Sequence, residues 1–169
     1  MSWDFLTKAL GFFATYPSWA KISLLASGFV FIASLFLGYQ AGKLKVSITR
    51  PVADADVPWA FEVEATVQNL PTGRELWIMT TDGVRYWPQT QVYQKGNVWT
   101  GNVTGIGGEP GTVRTFGVFS IGPDGRAMLD LYRKARRQIT DFSKYEIQHL
   151  TSDTELVDER RVKVISGKP

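Results

Sequence analysis

"FEVEATVQNLPTGRELWIMT", residues 61–80, decides how the chain folds. Phe61, Val63, Ala65 and Val67 alternate with Glu62, Glu64, Thr66 and Gln68. Successive side chains of a strand point to opposite faces, so this period of two predicts a strand buried on one side and wet on the other. "LPTG", Leu70 to Gly73, carries the residues of a turn. "ELWIMTT", from Glu75, then predicts a strand with large residues on both faces.

The same reading extends outward. "KVSITRP" predicts the first strand and "RRVKVIS" the last. "NVWTGNVTGIG" and "VRTFGVFSIG" predict two more, the first followed by the loop "GEPG" and the second closed by the turn "PDG". "TDGVRYWPQ" reads as a turn and a short edge segment, because Pro88 cannot donate to a ladder. One helix is expected over about 124–138, in "DGRAMLDLYRKARRQI". Asp124 is its expected N-cap, and Met128, Leu131, Tyr132 and Ala135 its expected core face. Strands and turns recur roughly every ten residues. The expected fold is therefore mainly β: an antiparallel β-sandwich over 45–166 with one inserted helix.

These segments, "ITRPVADADVP", "EVEATVQNLPTGRELWIMT", "YWPQ", "VWTGNV" and "FGVFSIG", together resemble an immunoglobulin-like or fibronectin-type sandwich domain of bacterial membrane-anchored proteins. Such domains open with a Pro-containing strand and place a Trp on the strand after the turn, here Trp77. The inserted helix and the absence of paired cysteines depart from the antibody pattern. The resemblance implies an interaction module and transfers no binding residues.

A second kind of segment precedes the strands. From Ile22 to Gly42 there is no charged residue. A helix of that length spans about 30 Å, the thickness of a hydrocarbon core. Trp19 and Tyr39 sit where amphipathic rings prefer the interface. Residues 19–42 are expected to form a single transmembrane helix. Gly38 and Gly42 form a small-xxx-small pair suited to helix–helix packing and a homo-oligomer. Trp3, Leu6, Leu10 and Phe13 recur at helical spacing, so 1–17 is expected to be an interfacial amphipathic helix, ended by Pro17. Residues 1–45 carry Lys8, Lys21, Lys43 and Lys45 against Asp4, a net +3, which is the whole excess of the chain. Residues 46–169 carry 15 basic and 15 acidic residues. Charge placed beside an apolar run points to a bilayer, and duplex nucleic acid is not an expected partner. Lys8, Lys21 and the terminal amine on one flank nearly match Lys43, Lys45 and Arg50 on the other; because no acid precedes Asp54 on the C-terminal flank, the sandwich is expected on the cytoplasmic side of a bacterial inner membrane.

The search for chemistry is mostly negative. No cysteine removes thiolate nucleophiles, disulfides and cysteine-ligated metals. His149 has no second histidine to share a metal and no nucleophile beside it. "GIGGEPG", Gly105 to Gly111, lacks the Lys-Ser/Thr of a phosphate loop and precedes a strand. No metal, cofactor or catalytic group is expected, and the chain is expected not to be an enzyme. One cluster stands out: Arg126, Arg133, Lys134, Arg136 and Arg137 against Asp130. Arginine forks suit phosphates and carboxylates, so these five are candidate ligands for an anion. The same cations could instead offset the helix dipole or pair with the acids of "SDTELVDE". Two readings follow. One is a non-enzymatic membrane protein whose sandwich binds a protein partner or assembles. The other is a ligand-gated membrane effector that senses an anionic signal such as a cyclic oligonucleotide. Its layout resembles that of CRISPR-associated membrane effectors.

Overall fold

Alternation and turn chemistry produce eight strands in the computed structural model, which describes residues 42–138 and 145–167. They are β1 (Lys45–Arg50), β2 (Ala55–Val57), β3 (Phe61–Gln68), β4 (Glu75–Thr81), β5 (Tyr86–Lys95), β6 (Val98–Val103), β7 (Val113–Ile121) and β8 (Thr154–Val164). One helix, α1 (Pro123–Arg136), lies between β7 and β8. The region Leu44–Pro169 is one compact unit. The mainly β expectation holds, with β3 and β4 at the expected bounds.

All eight strands form one curled sheet in the order β1-β3-β6-β5-β4-β7-β8-β2. The curl occurs at β5. Its residues Tyr86 to Val92 pair with β4, and Tyr93 to Lys95 pair with β6. Where the ladder to β6 lapses, side chains replace it. Thr90 Oγ1 bonds both the carbonyl (2.8 Å) and the N–H (2.7 Å) of Asn102, and Gln89 Oε1 accepts from the Thr104 N–H at 3.0 Å. Pro88 falls in this lapsed half, where its missing N–H breaks no ladder to β6. The "short edge segment" expected there is in fact the start of a ten-residue strand.

Because the sheet curls, its two flanks bury their inner faces against each other. Ile48, Val63 and Val103 come from one flank; Ile78, Phe116, Val118 and Val162 come from the other. Phe61 meets Phe116 edge-on at 5.4 Å, a favoured aromatic geometry. The two ends of the sheet, β1 and β2, are consecutive in sequence, and the chain crosses between flanks over residues 51–54. The open edge of β1 is plugged from β8: Ile48 N–H donates to Asp158 Oδ2 (2.7 Å) and Arg160 Nη2 donates to the Ile48 carbonyl (2.8 Å). Such plugging blunts an edge that could otherwise pair with another chain.

Several expectations are corrected. "ADADVP" is not only a turn, because it contains β2, which runs parallel to β8. The sheet is therefore not wholly antiparallel. "SDTELVDE" is not a free acidic tail, since Thr154 onward is the first half of β8. Helix α1 begins one residue early, with Gly122 at the N-cap, Pro123 in the first turn and Asp124 merely its neighbour. Its anchor is Leu129, 1% exposed, while Leu131 is 66% exposed. Gly125, Met128, Leu129 and Tyr132 form the true i, i+3, i+4, i+7 face. The expected interfacial helix (1–17) and nearly all of the expected transmembrane helix (19–42) lie outside the described residues, Gly38 among them. Gly42 sits in an exposed turn before β1. Among the described residues no helix is long and apolar enough to cross a membrane.

The register of α1 is testable. Leu129→Ala should lower stability by about 2–5 kcal/mol, as deletion of buried methyl groups does. Leu131→Ala should change it by less than about 0.5 kcal/mol. Urea unfolding followed by circular dichroism separates the two, and equal losses would contradict this helix face.

Candidate functional site: the basic helix and the strand face beneath it

The outer face of β4 and β7 carries a second apolar cluster. Trp77, Met79, Phe119 and Ile121 project from the strands, and Leu129 of α1 and Ile147 cover them. Tyr86 and Ile147 exchange two backbone hydrogen bonds of 2.9 Å, which ties the returning segment to the start of β5. Trp77 lies on β4. Its neighbours Leu76 and Ile78 take the inner face, so the indole turns outward beneath the helix.

Helix α1 has no capping side chain of its own. Asp153, from the start of β8, supplies one across 28 residues of sequence. Its Oδ2 accepts from the Asp124 N–H at 2.8 Å and its Oδ1 from the Gly125 N–H at 3.0 Å. This satisfies donors that every helix N-terminus leaves open. The Thr151 hydroxyl bond first, then these backbone N–H groups, hold the Asp153 carboxyl below the ordinary carboxylate range. Gly125 is required here because a Cβ would collide with Thr154 Oγ1 and lie 2.7 Å from Ile121 Cγ2. Beside the cap, Arg74 donates to Ser120 Oγ (2.6 Å) and to the carbonyls of Ser120 (3.0 Å) and Asp153 (2.7 Å). It thereby locks the β7 exit and the β8 start together.

The five candidate cations do not converge on one point. Arg126 meets Glu75 at 3.2 Å and donates to the Gly73 carbonyl at 2.9 Å. Glu75 in turn accepts from Trp77 Nε1 at 3.2 Å. The Arg133 guanidinium lies 4.3 Å above the Trp77 ring, a cation–π lid on a buried indole. Arg136 is half-buried on the side of Tyr132. Burial raises the Tyr132 hydroxyl pKa, and the Arg136 charge opposes that shift. Lys134 and Arg137 face solvent. Two of the acids of "SDTELVDE" turn elsewhere: Asp153, just before β8, caps α1, and Asp158 bonds Ile48 and Arg160. Sequence reasoning found the cations and missed their partners Glu75 and Trp77. The available signal was the i, i+2 spacing of those two residues, which puts them on one strand face.

The other motifs are structural in what they touch. Asp82 closes the β4–β5 turn, accepting from Val84 N–H, Arg85 N–H and Arg85 Nε. The Arg85 backbone and side-chain hydrogen bonds, in that order, lower its pKa to about 2. In the glycine-rich loop, Gly107, Gly108 and Gly111 take positive φ angles of 75°, 88° and 93°. The loop lies against Arg114, whose Nε is buried without a hydrogen-bond partner. Gly105 packs on the Trp59 ring. His149 is exposed. Among the described residues no group of three or more His, Cys, Asp or Glu could hold a metal ion.

No protein-family profile matches the chain. No curated protein matches it either. Among solved structures it is similar to an endo-beta-1,4-mannanase from Thermotoga petrophila, at 11% identity and a TM-score of 0.41. The match covers 74% of this chain and 20% of that one. The expectation that the chain is not an enzyme is withdrawn: an enzyme is among the solved structures similar to it. A likeness this distant carries neither fold nor activity to this chain.

Two measurements test this geometry. Carbon-detected titration should show the Asp82 carboxyl inflecting near pH 2, and Arg85→Ala should move it toward the ordinary value of 3.8. The sign is that of a depressed acid: its contribution is complete above about pH 4 and is lost as pH falls through about 2. Asp153→Asn should lower the urea midpoint at neutral pH and narrow the difference in stability between neutral and acidic solution. An unchanged midpoint would remove Asp153 as the cap.

Proposed function

We propose that the chain is a single-pass inner-membrane protein whose region 45–166 is an immunoglobulin-like sandwich serving as an interaction and assembly module. One observation carries this reading. A sheet whose first two strands lie on opposite flanks, closed over its own core, follows an uncharged run of 21 residues almost at once. In such a sandwich β1, β3 and β6 form one layer. The other layer is β4, β7 and β8 with β2, and β5 passes between them. Leu44–Pro169 is one compact unit by itself, which supports a module held at a bilayer by a preceding helix. The small residues of the uncharged run, Ala26, Ser27, Ala33, Ser34 and Gly38, support association of that anchor. Lys43, Lys45 and Arg50 with no acid before Asp54 on its C-terminal flank support a cytoplasmic module.

The test combines sidedness with association. In sealed spheroplasts, protease added outside should leave the C-terminus intact, and lysed spheroplasts should lose it. Chains solubilised in mild detergent should run as an oligomer, and Gly38→Ile should return them to monomers. An externally cleaved C-terminus would reverse the sidedness. A wild-type monomer that captures no membrane or cytoplasmic protein would count against the assembly reading.

A further inference from the structure

We infer that Arg114 and the glycine-rich loop over it form a site for a small oxyanion, a phosphate or a carboxylate group. The inference goes beyond the membrane reading and does not depend on it, because every residue it uses lies within Leu44–Pro169.

Arg114 stands on the core side of the sheet. Phe116 and Val118 point into the space between the flanks. Arg114 lies two positions before Phe116 on β7, so strand alternation puts it on the same face. Directly across the ladder it meets Val162, which is 0% exposed. The arginine is half-buried there, and its Nε is fully buried with no hydrogen-bond partner. Two other half-buried arginines are bonded: Arg74 to Ser120 and Asp153, Arg160 to Asp158 and Ile48. A buried donor without an acceptor is costly, more so on a charged group. An arriving acceptor removes that cost, and the acceptor matched to a guanidinium fork is an oxyanion.

The loop supplies the rest of the site. Ile106 is 4% exposed and its N–H donates to the Trp59 carbonyl at 3.0 Å, which pins the start. Gly111 N–H donates to the Val164 carbonyl at 2.7 Å, which pins the end. Between these pins Gly107 and Gly108 take positive φ, and Glu109 and Pro110 are exposed. Gly108 covers the fork. A Cβ there would lie 2.8 Å from Arg114 Nε, 3.2 Å from its Nη2 and 2.7 Å from Thr112 Oγ1. Donors of two side chains therefore converge on a residue that brings no side chain of its own. Glycine changes backbone conformation at little steric cost. Withdrawal of Gly108 opens the Nε and Nη2 edge to an oxyanion, with the Thr112 hydroxyl beside it. The loop lacks the lysine of a phosphate loop, and an arginine from the following strand stands in that role. No helix N-terminus lies behind it, so the site suits one anionic group and not a whole nucleotide.

The full chain in mild detergent is unfolded by heat in chloride, acetate or phosphate at one pH and one ionic strength. Binding to the folded state raises the midpoint, by about 3–8 °C when the anion is roughly tenfold above its dissociation constant. Phosphate also stabilises folded proteins by exclusion from their surface, so the quantity read is the difference from Arg114→Met. Wild type should gain over chloride, and Arg114→Met should lose that gain. A gain in phosphate alone assigns the site to phosphate groups, a gain in acetate alone to carboxylates, and a gain in both to the fork's general chemistry. If Arg114→Met does not fold, Arg114→Lys decides, because lysine keeps the charge and lacks the fork. It should lose most of the gain. No gain in either anion overturns the inference. An equal gain in the variant overturns it too, by placing the anion elsewhere on the chain.

Discussion

Burial of β4 and β7 on both faces is the constraint on which the rest of this structure depends. Leu76 and Ile78 point into the space between the flanks, while Trp77 and Met79 point the other way and are as deeply buried. Phe116 and Val118 are opposed in the same manner by Phe119 and Ile121. A sheet with apolar side chains on both faces must find cover for each. The curl at β5 folds one flank over the inner face. The insertion between β7 and β8 must then cover the outer one. Without α1 and the segment returning through Ile147, a tryptophan, a methionine and a phenylalanine would lie open to water.

This explains why α1 is held by several unlike contacts. Its N-terminus is capped by Asp153, its first turn is strapped by Arg126 to Glu75, and its middle is seated by Leu129 and by Arg133 over Trp77. Each polar contact is modest, as exposed ion pairs and caps are. Together with the apolar burial they settle one orientation of the helix and therefore one solvent-facing side. The cations not used to hold the helix, Lys134 and Arg137, are those that remain exposed beside Leu131.

The strands were legible to the extent that one face was polar. β3 alternates strictly, and its bounds could be read directly from Phe61 to Gln68. β4 was legible as a strand but not as a two-sided one with a known cover, because a continuous apolar run does not say which element lies on which side. β2 was not legible at all. Three residues in a turn-rich stretch have no detectable period, and only pairing with β8 makes them a strand. The helix was found, yet its wheel was rotated: Leu131 looked like core because Met128, Leu131, Tyr132 and Ala135 also satisfy helical spacing. Leu129 was the residue the sheet accepted.

By itself, then, the sequence determined the class of the domain, the positions of most strands, the presence of one basic helix and the charge that brackets the apolar run. These are local properties, written in periods of two and 3.6 residues and in turn chemistry. Tertiary structure alone decided that β1 and β2 lie on opposite flanks, that Asp153 caps a helix 28 residues before it, and which arginines are engaged. Those outcomes depend on contacts between residues far apart in the chain. Local periodicity does not encode such pairings, because the same pattern satisfies several of them until the sheet closes and leaves one.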